Sequence, residues 1–201
     1  MPPIVDYYFA PQSPYTYLGH KRFGELIHAA GAQVNVLPID LGGKVFPISG
    51  GLPLAKRAPQ RQAYRLVELK RFSEFLGQPL NLAPKFFPVP GDEAAKLIIA
   101  VDRQDGTAAA LALTGAILRG VWVQQRNIAD ANDLAKILGE QSLPERRLDD
   151  SHARAVQERY EAYAQAAIDT GVFGAPSYVI DGEIFWGQDR LDFVQRRLAR
   201  G

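Results

Sequence analysis

The strand-forming patterns of this sequence lie near its two ends, and a long helical stretch separates them. Residues 4–9 form a short β-branched and aromatic run, and residues 33–37 alternate valine with polar residues. Between them, Ser13 and Pro14 favour a helix start, because serine caps free N–H groups and proline fits the first turn. The opening therefore predicts a β-α-β unit, whose strands usually pair in parallel through a right-handed crossover.

The C-terminal part predicts a hairpin followed by a helix. Residues 177–180 and 183–186 are strand-like, and Asp181-Gly182 joins them. An Asp-Gly pair tolerates the positive φ angles that a two-residue hairpin turn requires. Residues 189–198 then carry leucine and valine at helical spacing.

The order β-α-β, helices, β-β-α predicts an α/β, thioredoxin-like fold interrupted by an all-helical insertion. We expect residues 1–40 and 172–201 to form the thioredoxin-like domain and residues 41–171 to form the helical insertion. The start of the insertion, residues 41–59, is rich in glycine and proline and is expected to be loop with short turns. The helical patterns that follow cover residues 60–76, 92–105, 107–126, 130–138 and 151–170, with Asp92, Thr107, Asp130 and Ser151 as expected N-caps.

The composition narrows the chemistry. The sequence has no cysteine, which excludes disulfides, thiolate metal sites and a thiol nucleophile of its own. Its 23 basic and 22 acidic residues give a formal charge of +1, so no strong field attracts nucleic acid or an anionic membrane. The sequence shows no secretion signal and no metal-ligand cluster of histidines and acids. We expect a cytoplasmic protein that binds a small molecule, no metal and no membrane.

Ser13 is the first candidate for chemistry. A serine that follows a strand and caps a helix lies beside unpaired N–H groups at the positive end of the helix dipole. An anion is stabilised at such a place. Taken alone, however, a Ser-Pro pair is more often only a helix cap.

The second candidate is the segment Gly174-Ala175-Pro176-Ser177, which joins a helix to a strand. Proline at the first position of a strand gives up no ladder hydrogen bond. The local sequence favours a trans Ala175-Pro176 bond, since only about 5–6% of X-Pro bonds are cis. In thioredoxin-like folds this loop faces the loop that follows strand one, so the two candidates are expected to meet.

Three segments of the chain resemble the 2-hydroxychromene-2-carboxylate isomerases and the kappa-class glutathione transferases. They are residues 8–18 (YFAPQSPYTYL), residues 172–177 (VFGAPS) and residues 185–191 (FWGQDRL). The C-terminal block is the more specific, because Gly-x-Pro, a hairpin and Trp-Gly-x-Asp-Arg occur there in one order and spacing. The resemblance spans nearly the whole chain. It implies a thioredoxin-like fold with a helical insertion, glutathione as the cofactor, and a homodimer.

The resemblance also implies roles for single residues. Ser13 matches the serine that hydrogen-bonds the glutathione sulfur, and the helix terminus beside it would lower the pKa of the thiol. Ala175 would offer its backbone to the cysteinyl part across a cis Pro176. Gln188 and Asp189 match the positions that hold the γ-glutamyl end, although Asp189 alone would be taken for a cap of the last helix. In full, the residues expected to bind glutathione are Ser13, Pro14, Tyr15, Ala175, Pro176, Gln188 and Asp189.

Two positions depart from the pattern of the relatives. They often have asparagine where this chain has Gly51, and lysine where it has Arg61. Arginine binds carboxylates in a bidentate fork and is not equivalent to lysine. We expect Lys44, Arg57 or Arg61 to contact the carboxylate of the substrate, and Tyr15 or Trp186 to face its aromatic ring.

The leading hypothesis for function follows from the resemblance. It is the isomerisation of a 2-hydroxychromene-2-carboxylate-type substrate to a trans-o-hydroxybenzylidenepyruvate-type product through reversible thiolate addition, which is covalent catalysis by a borrowed nucleophile. Two alternatives stay in competition with it. One is a kappa-like glutathione transferase that releases a stable conjugate, and the other is a thioredoxin-like binding module in which Ser13 is only a cap. The missing cysteines exclude a disulfide oxidoreductase.

Overall fold

The computed structural model describes residues 2–200, and within them the strands form one mixed sheet in the order β2-β1-β3-β4. β1 runs parallel to β2 and antiparallel to β3, and β4 closes the hairpin with β3. This topology confirms the predicted thioredoxin-like fold class. The strands are β1 (Ile4–Phe9), β2 (Gln33–Pro38), β3 (Ser177–Ile180) and β4 (Glu183–Trp186).

Helices connect and cover these strands. The first, α1 (Pro14–Ala30), begins after Ser13, whose Oγ accepts a hydrogen bond from the N–H of Thr16 at 3.2 Å. It ends at Gly31, which takes the left-handed conformation with a φ of 60°. The other helices are α2 (Phe46–Ser49), α3 (Pro59–Leu76), α4 (Asp92–Asp105), α5 (Thr107–Trp122), α6 (Ala131–Glu140), α7 (Arg147–Ser151), α8 (Arg154–Thr170) and α9 (Leu191–Leu198).

The segment predicted as loop with short turns, residues 41–59, contains three such turns. A π-helical turn (Leu41–Val45) leads into α2, and a 3₁₀ turn (Leu54–Lys56) precedes α3. The short helix α7 was not predicted, because five residues carry too little periodicity.

Three of the four expected N-caps are wrong. Asp92, Thr107 and Ser151 lie inside helices, and their side chains bond elsewhere: Asp92 Oδ1 accepts from the Tyr160 hydroxyl at 3.0 Å. Asp130 is confirmed as a cap, since it accepts from the N–H groups of the second and third helical residues at 2.9 and 3.1 Å.

Two helix ends also differ from the prediction. α5 stops at Trp122 instead of residue 126, because the carbonyl of Trp122 accepts from the N–H of Asn81 at 2.8 Å and Gln125 has a φ of 55°. α6 continues to Glu140, two residues beyond the predicted end at residue 138. A contact from a distant segment marks the end of α5, whereas α6 ends in local hydrogen bonds of Gln141, Ser142 and Leu143.

The main core joins the sheet to the inserted helices. Tyr7 and Phe9 of β1 and Phe23 of α1 belong to the same buried cluster as Leu113 and Trp122 of α5. The division of the chain at residues 40/41 and 171/172 stays a prediction. Within residues 2–200, no helix combines the length and the apolar character that crossing a bilayer demands.

Candidate functional site

Three chain connections meet at one edge of the sheet. The register pairs Phe9, the last residue of β1, with Pro38, and pairs Tyr8 with Ser177, the first residue of β3. Ser177 in turn pairs with Trp186, the last residue of β4. The segments after β1, before β3 and after β4 therefore lie side by side. The loop after β1 and the loop before β3, which were predicted to face each other, are therefore neighbours at this edge of the sheet.

Ser13 occupies the turn between β1 and α1. Its backbone N–H donates to the carbonyl of Ala10 at 2.9 Å, which fixes the turn, and its Oγ accepts from Thr16. Within residues 2–200, the Ser13 hydroxyl proton and the backbone N–H of Tyr15 have no acceptor. A hydroxyl group donates one hydrogen bond while it accepts another. Two donors at the helix N-terminus are thus left for a ligand.

The loop before β3 is fixed from both sides. Ala175-Pro176 is a cis peptide, as the resemblance implies and against the trans form that local sequence favours. The carbonyl of Pro176 accepts from the N–H of Gly187 at 2.9 Å, and the Ser177 hydroxyl donates to the carbonyl of Gly174 at 2.8 Å. The N–H and C=O of Ala175 have no partner in the described part of the chain. This backbone is therefore free to pair with an extended peptide.

Trp186 lies against the same loop. An added Cβ on Gly174 would clash with the indole Nε1 of Trp186, so the ring packs directly on the glycine backbone. Trp186 is 51% exposed and meets Phe173 edge to face, with 4.8 Å between the ring centroids. Phe173 also borders an apolar cavity of about 310 Å³ between the π-helical turn and the end of α8. An aromatic surface thus adjoins Ala175.

Gln188 and Asp189 follow β4 in a 3₁₀ turn, and their environments differ. Gln188 is buried, and its side-chain oxygen and backbone carbonyl both accept from Arg22. Asp189 is exposed and forms an ion pair with Arg190 at 2.6 Å. Asp189 has a carboxylate that can meet an ammonium group, whereas the Gln188 oxygen already has a donor. Their role in holding the γ-glutamyl end stays a prediction.

Tyr15 connects α1 to α3. Its hydroxyl donates to Glu68 Oε2, and burial raises its pKa, with the Glu68 hydrogen bond and charge adding to the shift. One turn earlier on α3, the guanidinium of Arg65 lies over the ring of Phe87 at 5.2 Å and over that of Trp122 at 5.9 Å. Tyr15 is therefore neutral and fixed beside a buried cation.

The basic residues expected at the substrate carboxylate are placed differently from one another. Lys44 and Arg61 are exposed. Arg57 is partly buried and donates through Nε to the carbonyl of Leu52 at 2.8 Å, and its charge acts on both Tyr15 and Arg65. The assignment of each of the three to the substrate stays a prediction.

Gly51 has a structural reason to lack a side chain. A Cβ there would clash with the ring of Phe46, which lies against the backbone of residue 51. The space that an asparagine would need at this position is filled by an aromatic ring. The expected departure from relatives with asparagine at this position stays a prediction.

Sequence reasoning missed Arg65 and Glu68. Arg65 shares the core-facing stripe of α3 with Leu69, Phe72 and Leu76 at the spacing i, i+4, i+7, i+11. An arginine in an apolar stripe is the signal that would have revealed it, because charged residues are rarely buried without a partner.

A second and larger cavity, of about 680 Å³, lies between α1 and α5 and is lined by none of the predicted site residues. His20 borders it, with Nδ1 at 3.2 Å from the Tyr7 hydroxyl and Nε2 at 2.9 Å from the carbonyl of Leu111. Burial lowers the pKa of His20 to about 4. Both ring nitrogens have partners inside the protein.

The fold and the site together define a thioredoxin-like protein that has serine, and no cysteine, at the start of its first helix. The family is confirmed by comparison with known proteins. Residues 4–199 match the DSBA-like thioredoxin domain, and the chain belongs to this family.

The curated relatives include isomerases and a transferase. The chain is 27% identical to the 2-hydroxychromene-2-carboxylate isomerase of Pseudomonas putida over 200 residues, covering 98% of this chain and 95% of the relative. It is 25% identical to glutathione S-transferase kappa 1 of Caenorhabditis elegans, covering 96% and 89%. The resemblance seen in the sequence is thereby confirmed.

Solved structures agree with the fold. A 2-hydroxychromene-2-carboxylate isomerase superposes with a TM-score of 0.80 at 25% identity, covering 98% of this chain and 95% of that one. The cytosolic disulfide reductase DsbM from Pseudomonas aeruginosa, solved with GSH, gives a TM-score of 0.69 at 16% identity, covering 98% and 99%. The second match supports the fold alone.

Proposed function

We propose that this chain is a glutathione-dependent isomerase that converts 2-hydroxychromene-2-carboxylate-type substrates to trans-o-hydroxybenzylidenepyruvate-type products. The observation that carries the proposal is Ser13, a hydroxyl with a free proton at the N-terminus of α1, at the same edge of the sheet as the unpaired backbone of Ala175. Similarity to isomerases along 98% of the chain supports the same conclusion.

The residues at the sheet edge fit glutathione. The Ser13 hydroxyl and the Tyr15 N–H are donors suited to a sulfur anion. The free N–H and C=O of Ala175 suit the backbone of the cysteinyl residue, and the Asp189 carboxylate suits the α-ammonium group. Pro14 and Pro176 hold these groups in place through the turn and the loop.

Bound glutathione would supply the thiolate that adds reversibly to the conjugated substrate, so that a stiff double bond becomes a rotatable single bond. The contribution of this chain is electrostatic and positional. Ser13 and the helix terminus favour the ionised sulfur, and Trp186 with Phe173 offers an apolar face for the aromatic ring. Lys44, Arg57 or Arg61 would meet the substrate carboxylate.

We also propose that the protein is a cytoplasmic homodimer, as the family resemblance implies. Tyr64, Val67 and Phe75 of α3 are exposed apolar side chains on one helical stripe, and they support association with a second copy. Sedimentation of the purified chain tests this part, and a monomer at all working concentrations would contradict it.

The test of the proposed function is Ser13→Ala. Glutathione-dependent turnover is expected to fall by more than about tenfold, which corresponds to roughly 1.4 kcal/mol of transition-state stabilisation. Turnover equal to that of the wild type would remove Ser13 from the mechanism.

Two control variants separate chemistry from helix capping. Ser13→Asp keeps a cap acceptor but sets a negative charge against the thiolate, so we expect normal stability and lost turnover. Asp130→Ala removes the cap of α6, and we expect about 1 kcal/mol of lost stability with unchanged turnover. Circular dichroism and thermal melting monitor the fold of each variant.

The relative named as a kappa transferase makes conjugation the second candidate function. Product analysis distinguishes the two. A chromene carboxylate should be converted without net consumption of glutathione, whereas an electrophilic aryl halide would consume it stoichiometrically if the chain is a transferase. Absence of any glutathione binding would favour the binding-module alternative.

A further inference from the structure

Arg65 is a buried cation without an anionic partner. Its side chain lies on the core face of α3 and the residue is 8% exposed. In the described range, no carboxylate oxygen lies within 4 Å of its guanidinium, and no protein atom accepts a hydrogen bond from it. A guanidinium has five N–H donors and no acceptor. Charged residues this deeply buried are normally paired.

Aromatic rings stabilise this cation without bonding to its donors. The guanidinium lies over Phe87 and Trp122, whose centroids are 4.8 Å apart, and the π faces attract positive charge. Such contacts orient the planar fork of arginine and leave its N–H edge available. Its nitrogens are not among the polar atoms sealed from solvent, so the guanidinium keeps some contact with solvent.

The charges around Arg65 leave room for one anion. Glu68 already accepts from Tyr15, and Arg57 lies close enough for its charge to act on both Tyr15 and Arg65. Two guanidinium groups and one carboxylate leave a net charge of +1 when Tyr15 is neutral. A single carboxylate from a ligand would neutralise the group.

Tyr15 connects the charged group of Arg65, Arg57 and Glu68 to the proposed glutathione site. It lies two residues after Ser13 in the first turn of α1, and its hydroxyl reaches Glu68 on the same face of α3 as Arg65. An anion bound at Arg65 would therefore lie near the N-terminus of α1. Phe87 offers a flat apolar wall there for an aromatic ring.

We propose that Arg65 binds a carboxylate of a small-molecule ligand, held in a bidentate manner by a guanidinium that Phe87 and Trp122 orient. The carboxylate belongs either to the aromatic substrate or to glutathione. The inference deepens the proposed function, on which it rests for the identity of these two ligands. Binding of a carboxylate can be measured at equilibrium without turnover. The inference about Arg65 and the proposed function can therefore fail independently of each other.

The experiment measures dissociation constants by titration calorimetry for three probes: 2-hydroxycinnamate, its neutral amide, and glutathione. The wild type should bind the carboxylate at least about tenfold more tightly than the amide, and Arg65→Met should reduce this preference to below about threefold. Arg71→Met, the same change at an exposed site on α3, should leave all three constants within about twofold of the wild type.

The glutathione arm identifies the source of the carboxylate. If Arg65→Met weakens glutathione by about tenfold and leaves the preference for 2-hydroxycinnamate intact, Arg65 binds a carboxylate of the tripeptide. If it leaves every constant within about twofold of the wild type, the inference is overturned. Arg65→Gln replaces Arg65→Met, with the same criteria, if the methionine variant fails to fold. A wild type that binds neither carboxylate overturns the inference without any variant.

Discussion

Two buried arginines of this chain have opposite surroundings. Arg147 is 5% exposed and donates to both oxygens of Asp105, at 2.6 and 2.8 Å, and to Asp150 at 2.8 Å. Arg65 is 8% exposed and has aromatic rings where Arg147 has carboxylates. Since burial is equal, the difference lies in the partners. An arginine paired inside the protein stabilises the fold, and an arginine without an internal partner is available to a ligand.

The same contrast holds for smaller polar groups. His20 has a partner at each ring nitrogen, and it lies at the larger cavity, away from the predicted site residues. The Ser13 hydroxyl and the Ala175 backbone have unused hydrogen-bonding capacity, and both lie at the sheet edge. Both groups lie where the three connections after β1, before β3 and after β4 meet, whereas none of the predicted site residues lines the larger cavity.

The largest effect is expected at Arg147. Arg147→Met leaves Asp105 and Asp150 without their cation, and the hydrogen bond from Arg147 is what mainly lowers the pKa of Asp105. We expect the free energy of unfolding to fall by about 2 to 3 kcal/mol, because three charge-assisted hydrogen bonds from a buried guanidinium are lost. Urea denaturation measures it, and glutathione affinity should not change. A loss below about 1 kcal/mol would contradict the structural role of this arginine.

A change of nearly the same size is expected when the pH is lowered through the titration of His20. Burial lowers its folded-state pKa to about 4, so the unfolded chain binds a proton first as the pH falls below the usual value. Stability is complete above the unfolded pKa and should fall by about 2 kcal/mol between pH 7 and pH 5. His20→Gln should reduce this slope of stability against pH. An unchanged slope would assign the acid sensitivity to other groups.

A smaller effect is expected at Gly174. An alanine there would displace the indole of Trp186, but this half-exposed ring can move into solvent. We therefore expect a stability loss of only about 1 kcal/mol, together with a clear change in tryptophan fluorescence. Gly139→Ala, in α6 and with open space around its α-carbon, is the matched control and should leave the fluorescence unchanged. Equal spectra for the two variants would contradict the packing of Trp186 on this loop.

Local patterns predicted those parts of the fold that local forces determine. The hairpin is such a case, because Asp181 and Gly182 adopt φ angles of 49° and 81° that follow from the turn itself. The end of α5 was mispredicted because Asn81, some forty positions away, binds the carbonyl of Trp122. The local sequence of α5 does not reveal a contact with a residue so distant in the chain.

In the candidate site, too, the residues that belong to local sequence motifs were predictable, and the residue whose role depends on tertiary packing was not. Ser13 and Ala175-Pro176 were found because each lies in a short motif at a strand end, where chain connectivity brings them together. Arg65 was missed, because its importance lies in what surrounds it. That Phe87 and Trp122 are its neighbours follows only from the packing of three distant segments.

The smallest effect is expected for the stability of the Arg65→Met variant, and it is the sharpest test of the comparison. Methionine fills a similar volume and removes a buried charge that has no internal partner, so the lost cation–π contact is offset by relief of desolvation. The free energy of unfolding without ligand should stay within about 1 kcal/mol of the wild type. Urea denaturation beside Arg147→Met provides the contrast. If the two variants lose equal stability, Arg65 is as firmly bound within the protein as Arg147, and burial without a carboxylate partner does not mark a ligand-binding arginine in this fold.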